Sequence, residues 1–188
     1  MYRYVFNVMS DDHPGIIAAV TASIEVIQGN ILSCSQTVLG GYFTLIMIIE
    51  LPEEMTPDQL REHVLTTTAG ACKIDVSVRK ANPDLPQMEK TERFVITAFG
   101  RDQVGIVRRF SEYLADHEMN IVDMYGCKHD GTGGEPEFLL TGQVEIPLKW
   151  NFSMLQCDLE AIGEELGFEV RLQHENIFVA TNRLRFHA

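Results

Sequence analysis

Asp12-His13-Pro14-Gly15-Ile16-Ile17 returns ninety residues later as Asp102-Gln103-Val104-Gly105-Ile106-Val107. The same interval of 90 relates Val20 to Phe110 and Asn30-Ile31 to Asn120-Ile121. Farther along, Glu50-Leu51-Pro52 answers to Glu145-Ile146-Pro147 at an interval of 95, which Leu60 and Leu155 keep. The five extra residues fall in the glycine-rich stretch 131–136. Matched motifs, one constant spacing and one localised insertion identify a duplicated unit, the signal to seek before any other.

Each copy reads strand, helix, strand, strand, helix, strand. In the first, residues 2–9 are rich in aromatic and β-branched side chains and predict a strand. Residues 10–15 are a loop, with Pro14 placed as an early helical residue. Ile16, Ile17, Val20, Ile24 and Ile27 recur at helical spacing, and Gly29-Asn30 is expected to stop that helix. A strand over 31–38 sets Ser33, Ser35 and Thr37 on one face, away from a core. Leu39-Gly40-Gly41 turns the chain into residues 42–51, apolar on both faces and so expected to be a central strand with both sides covered. Leu60, Val64 and Leu65 mark a second helix, and Ile74, Val76 and Val78 a last strand.

The second copy repeats the plan. It has strands over 93–99, 121–127, 138–146 and 168–172. One helix carries Ile106, Val107, Phe110 and Leu114; the other carries Leu155, Leu159, Ile162 and Leu166 and ends at Gly167. The segment 128–134 lacks the Gly-Lys-Ser/Thr ending of a phosphate loop and leads into a strand, so it reads as an extended hairpin. The expected fold is therefore α+β: two tandem ferredoxin-like βαββαβ domains, each an antiparallel sheet with two helices on one face. The boundaries are residues 1–80, a proline-bearing linker over 81–90, residues 91–174, and an extension over 175–188. Alternation of Ile177, Val179, Leu184 and Phe186 suggests an added strand in the extension.

Composition narrows the function. The 188 residues are 45% hydrophobic and 22% charged, too apolar for a disordered chain and without a membrane-spanning apolar run. The formal net charge is −12; residues 1–90 hold 6 Lys/Arg against 11 Asp/Glu, and residues 91–188 hold 9 against 16. Neither half suits direct nucleic-acid binding, which draws most of its affinity from cation–phosphate contacts. No signal peptide is read at the start, so a cytoplasmic location is expected. Cys34, Cys72, Cys127 and Cys157 form no Cys-x-x-Cys and are expected to be buried small hydrophobes. Asp11, Asp12 and His13 cannot all face one point in a tight loop, so no metal site is expected. No nucleophile elbow occurs, and no catalytic residue or cofactor is assigned. Trp150 and Phe152 read as packing residues or a hydrophobic staple.

The repeated residues outside the core pattern are Asp12/Asp102, Gly15/Gly105 and Asn30/Asn120. A loop entering a helix presents unpaired N–H groups and the positive end of the helix dipole, which suits a carboxylate. Glycine permits close approach to the backbone, and an Asn amide offers a donor and an acceptor. Together these suit a free amino acid. The structural alternative is that Asp12 and Asp102 cap helices and that Asn30 helps a helix to stop. The Asp and Asn of one copy sit at opposite ends of one helix, so a shared ligand would require convergence across an interface.

Asp-x-x-Gly-Ile after a first strand, with Asn-Ile about 15 residues later, resembles the ACT domain. The duplicated arrangement, with Gly29-Asn30-Ile31-Leu32 and residues 39–47, is similar to the glycine cleavage system transcriptional repressor family. The resemblance covers residues 1–174. It implies ligand binding by Asp12, His13, Gly15, Ile16, Asn30 and Ile31 in the first copy, and by Asp102, Gln103, Gly105, Ile106, Asn120 and Ile121 in the second. Val104 stands where the first copy has Pro14, so the second loop is expected to be less rigid. The resemblance further implies a non-enzymatic, amino-acid-responsive regulator, with glycine or serine as ligand, a homodimeric state, and a protein partner such as a transcriptional activator. Alternatives are a ligand-free dimerisation or interaction module, and a relative of the regulatory domain of formyltetrahydrofolate deformylase.

Overall fold

Alternation of buried and exposed residues marks strands such as Tyr2–Asp11 and Tyr42–Leu51. The computed structural model describes residues 1–83, 90–131 and 134–182. Residues 84–89 of the expected linker, residues 132 and 133 of the expected hairpin, and residues 183–188 with Leu184 and Phe186 lie outside the described residues. The chain divides into two compact units, Met1–Leu85 and Pro86–Ala188.

The first unit runs β1 (Tyr2–Asp11), α1 (Ile16–Val26), β2 (Asn30–Leu39), β3 (Tyr42–Leu51), α2 (Pro57–Thr68) and β4 (Asp75–Lys80). The sheet order is β2-β3-β1-β4, all neighbours antiparallel. Tyr4, Phe6 and Val8 of β1 lie opposite Ile49, Met47 and Leu45 of β3. All six are buried under α1 and α2, which contribute Ile16, Val20, Ile24, Leu60 and Val64 to the same core. Each such side chain contributes roughly 1.5–3 kcal/mol by leaving water. Serine and threonine are tolerated inside because each finds a carbonyl: Ser23 Oγ donates to Val20 O at 2.7 Å, and Thr68 Oγ1 to Val64 O at 2.7 Å.

The second unit repeats this with β5 (Thr91–Arg101), α3 (Ile106–Asp116), β6 (Asn120–Asp130), β7 (Pro136–Pro147), α4 (Phe152–Leu166) and β8 (Phe168–His174), in the order β6-β7-β5-β8. Its core joins Phe94, Ile96, Phe110, Leu114, Val144, Leu155 and Leu159, among others. The protein therefore consists of two antiparallel four-stranded sheets, each with two helices on one face, in tandem ferredoxin-like βαββαβ order.

Several local expectations give way. Pro14 lies in the turn before α1, not inside it, and Gly15 is the N-cap residue. Helix α1 is stopped by Gln28, not by Gly29-Asn30. Gln28 takes φ 56°, with Gln28 N–H bonded to Glu25 O and Gly29 N–H to Ile24 O, both at 2.9 Å. This is a Schellman termination. Glu118 (φ 57°) does the same for α3. Gly29 is required for space, because a Cβ there would sit 2.5 Å from Ile24 Cγ2. Strand β3 is central, yet only its helix-side face is fully buried among the described residues; Tyr42 and Ile46 on the other face are 60% and 47% exposed. The 175–188 extension contains a helix, α5 (Glu175–Asn182), where a strand was expected. Only Cys72 is buried; Cys34 lies on the exposed edge strand β2, Cys157 on the outer side of α4, and Cys127 is half-buried on β6.

Trp150 does precede the α4 N-cap, but it is also held by its indole N–H, which donates to His117 O at 2.8 Å. Phe152 stacks on Phe94 with ring centroids 5.4 Å apart.

Candidate functional site

The two loops that open α1 and α3 have nearly the same backbone. Gly15 (φ 102°) and Gly105 (φ 98°) are left-handed, a conformation costly for any residue with a Cβ. The first helical bonds are Ala19 N–H to Gly15 O and Arg109 N–H to Gly105 O, each 3.0 Å. The amides of residues 16–18 and 106–108 precede them and have no acceptor within their helix. No side chain caps either helix, so the alternative that Asp12 and Asp102 act as caps is not met. A bare glycine in the left-handed region occupies the N-cap position instead.

The second helices of each unit differ. Thr56 caps α2 in a reciprocal pair with Gln59, and Asn151 caps α4 by accepting from Met154 N–H at 3.2 Å. Uncapped amide ends thus belong to α1 and α3 alone among these four helices.

The flanking side chains separate the two loops. Asp12 is exposed, and its carboxylate meets no cation among the described residues. His13 Nδ1 lies 3.1 Å from Pro14 O. In the second loop Lys128 Nζ sits 2.8 Å from Asp102 Oδ2, and the Gln103 amide donates to Leu166 O at the end of α4. Asp102, Gln103, Gly105 and Phe138 line a cleft of about 310 Å³ there. Ile16 and Ile106 are buried in their cores, so only their main-chain amides face the loops.

Asn30 and Asn120 open β2 and β6 at the far ends of the sheets. Asp11 pairs with Tyr42 and Asn30 with Glu50, eight residues apart along β3 and so roughly 26 Å at ~3.3 Å per residue. The second unit has the same separation, from Glu137 to Glu145. Within one unit, Asp and Asn therefore do not converge. Each Asn instead stands beside a glutamate already held by an arginine. Arg3 Nε bonds Glu50 at 3.0 Å opposite Asn30; Arg93 Nε bonds Glu145 at 3.4 Å, and Asn120 Nδ2 donates to Glu145 at 3.4 Å. The sequence reading missed Arg3 and Arg93, although they too stand 90 residues apart. Ile31 is partly exposed, and Ile121 packs against the second core.

No group of three or more His, Cys, Asp or Glu suited to a metal occurs among the described residues. No described helix is long and apolar enough to cross a membrane.

Known proteins supply a family for this geometry. The sequence profile of the ACT domain matches residues 3–78 and 92–173. A UPF0237 protein of Methanosarcina acetivorans is 36% identical over 96 residues, which span 50% of this chain and 98% of that protein. One from Methanocaldococcus jannaschii is 37% identical over 93 residues, spanning 49% and 98%. Among solved structures, an uncharacterised protein from Galdieria sulphuraria superposes with TM-score 0.77 at 22% identity, covering 92% of this chain and 98% of that one. A candidate glycine cleavage system transcriptional repressor gives 0.65 at 16% identity, covering 93% and 98%. At these identities the two structures speak for the fold.

Proposed function

Because the chain belongs to the ACT-domain family, with UPF0237 proteins among its relatives, we propose that it is a non-enzymatic regulatory protein that responds to a free amino acid. The observation that carries this reading is the pair of uncapped helix ends. Free amides of residues 16–18 and 106–108 suit a ligand carboxylate, while Asp12 and Asp102 suit its ammonium. Asn30 and Asn120 would complete a site only from another unit or another copy, which favours a homodimer. Glycine or serine is the favoured ligand, since the loops offer main-chain amides and small polar groups, not a deep apolar pocket. The ligand shifts an assembly only by binding two arrangements with different affinity. The net charge of −12 favours action through a protein partner, such as a transcriptional activator, in the cytoplasm.

Isothermal titration with each of the twenty amino acids tests this. Heat with glycine or serine, lost in the Asp12→Asn/Asp102→Asn double variant, is expected; no heat with any amino acid would overturn the reading. A second reading, assembly without a ligand, draws on β2, whose ten residues are all exposed along a sheet edge. Dimerisation that is indifferent to amino acids in light scattering would favour it.

A further inference from the structure

The sheet faces away from the helices carry matching rows of side chains, and among the described residues a helix of the same unit packs on only one of them. In the second unit the row crosses from Val122 at the β6 bulge through Gln143 and Val95 to Gln173. Helix α5 packs on β5 and β8 over this place. Gln143 Nε2 donates to Glu175 Oε1 of α5 at 2.6 Å, and Val95 is only 7% exposed. In the first unit the corresponding row is Leu32 at the β2 bulge, Ile48, Val5 and Arg79. Among the described residues no helix follows β4 within this unit, and the row floors a cleft of about 620 Å³. That volume lies within the ~300–1,000 Å³ of small-molecule sites.

The chemistry of the cleft is particular. Leu32, Ile48 and Val5 form an apolar strip. Arg79, level with Val5, and Arg3, beyond it near the strand end, set two guanidinium groups around that strip. Arg3 is engaged by Glu50, whereas Arg79 meets no carboxylate among the described residues. An unmatched guanidinium beside an apolar floor stands out in a chain of net charge −12. In the second unit the same place is filled by a helix that brings a carboxylate; here the described residues of the unit supply a cation and no helix.

We infer that the open face of the first unit binds a small organic carboxylate with an apolar body, the carboxylate on Arg79 and the body over Val5, Ile48 and Leu32. This site lies at the opposite end of the sheet from Gly15 and does not rest on the amino-acid reading. An Arg fork donates paired hydrogen bonds to a carboxylate, and the apolar strip adds buried area.

Titration calorimetry on the full chain tests this, with phenylacetate as probe and phenylacetamide as its uncharged match. Saturable binding of phenylacetate is expected, with the amide much weaker. Arg79→Gln should weaken phenylacetate by about tenfold or more, and Arg79→Lys by less, because both lose the bidentate fork but only the first loses the charge as well. Ile48→Gln, which copies the second unit, should weaken it as well. These positions are on the sheet surface, and unchanged circular dichroism and melting would confirm folded variants. Glycine heats should be the same in Arg79→Gln as in the parent chain. The inference is overturned if phenylacetate does not bind, if acid and amide bind alike, if Arg79→Gln binds as the parent does, or if only an acidic peptide binds.

Discussion

Helix α1 and helix α3 end in the same hydrogen bonds, yet the residue that follows the left-handed position is Gly29 in one unit and Met119 in the other. Met119 is buried in its core, while at Gly29 any Cβ would strike Ile24. The contact between the helices differs as well. His63 Nε2 lies 2.9 Å from Ser23 O between α1 and α2, whereas Tyr113 Oη donates to Asp158 at 2.9 Å between α3 and α4. These are equivalent positions in the duplication. The backbone plan was kept while the packing that supports it diverged, because termination is satisfied by main-chain groups that any residue carries.

Exchange at the helix ends breaks the comparison most severely. Met119→Gly should destabilise the second unit by about 2–5 kcal/mol, as a buried side chain leaves a cavity. Gly29→Met should cost the first unit about 1–3 kcal/mol through overpacking. Denaturant unfolding, followed for each unit, would reveal the two effects. By contrast, Gly15→Ala and Gly105→Ala should cost about the same, ~1–2 kcal/mol each, since both glycines are left-handed and have open space around the added Cβ. Unequal values would refute the idea that the two loops share one backbone requirement.

Tyr113→Phe should cost about 1 kcal/mol. Burial first, and then Asp158, raises the Tyr113 hydroxyl above its usual pKa. The neutral form is favoured by folding, so the contribution is fully present below about pH 10 and is lost as pH rises through the folded-state value. The stability gap between parent and Tyr113→Phe should therefore close in strong alkali, as pH-dependent unfolding would register. The smallest effect is expected from Lys128→Ala. An exposed ion pair contributes under ~1 kcal/mol, so melting should hardly change. Release of Asp102 should make the second loop resemble the first, and glycine titration would detect the gain.

The fold was legible because duplication doubles each weak signal. Ile16, Val20 and Ile24, together with Ile106, Phe110 and Leu114, mark helices whose inner faces the structure fills as expected. Helix α5 was not legible: Ile177 and Val179 alternate like a strand, and the helix packs on β5, which is remote in sequence, as well as on the adjoining β8. The loop glycines were identified as special, but their role as N-cap residues was not, since Asp12 and Asp102 are better caps by composition alone. Burial misled for Cys34 because whether a strand lies at an edge depends on the order of all four strands.

Sequence was sufficient for what depends on neighbours along the chain: the repeat, the strand and helix periods, and the acidic charge of both halves. The tertiary structure alone decided what depends on groups distant in sequence. It determined that Asp12 meets no cation among the described residues while Asp102 is held by Lys128, that Asn30 and Asn120 stand beside arginine-bound glutamates, and that one open face is covered by α5. The division is physical. Backbone conformation follows from short-range sterics and periodicity, whereas the pairing of a charge or the covering of a face is settled only when remote segments meet.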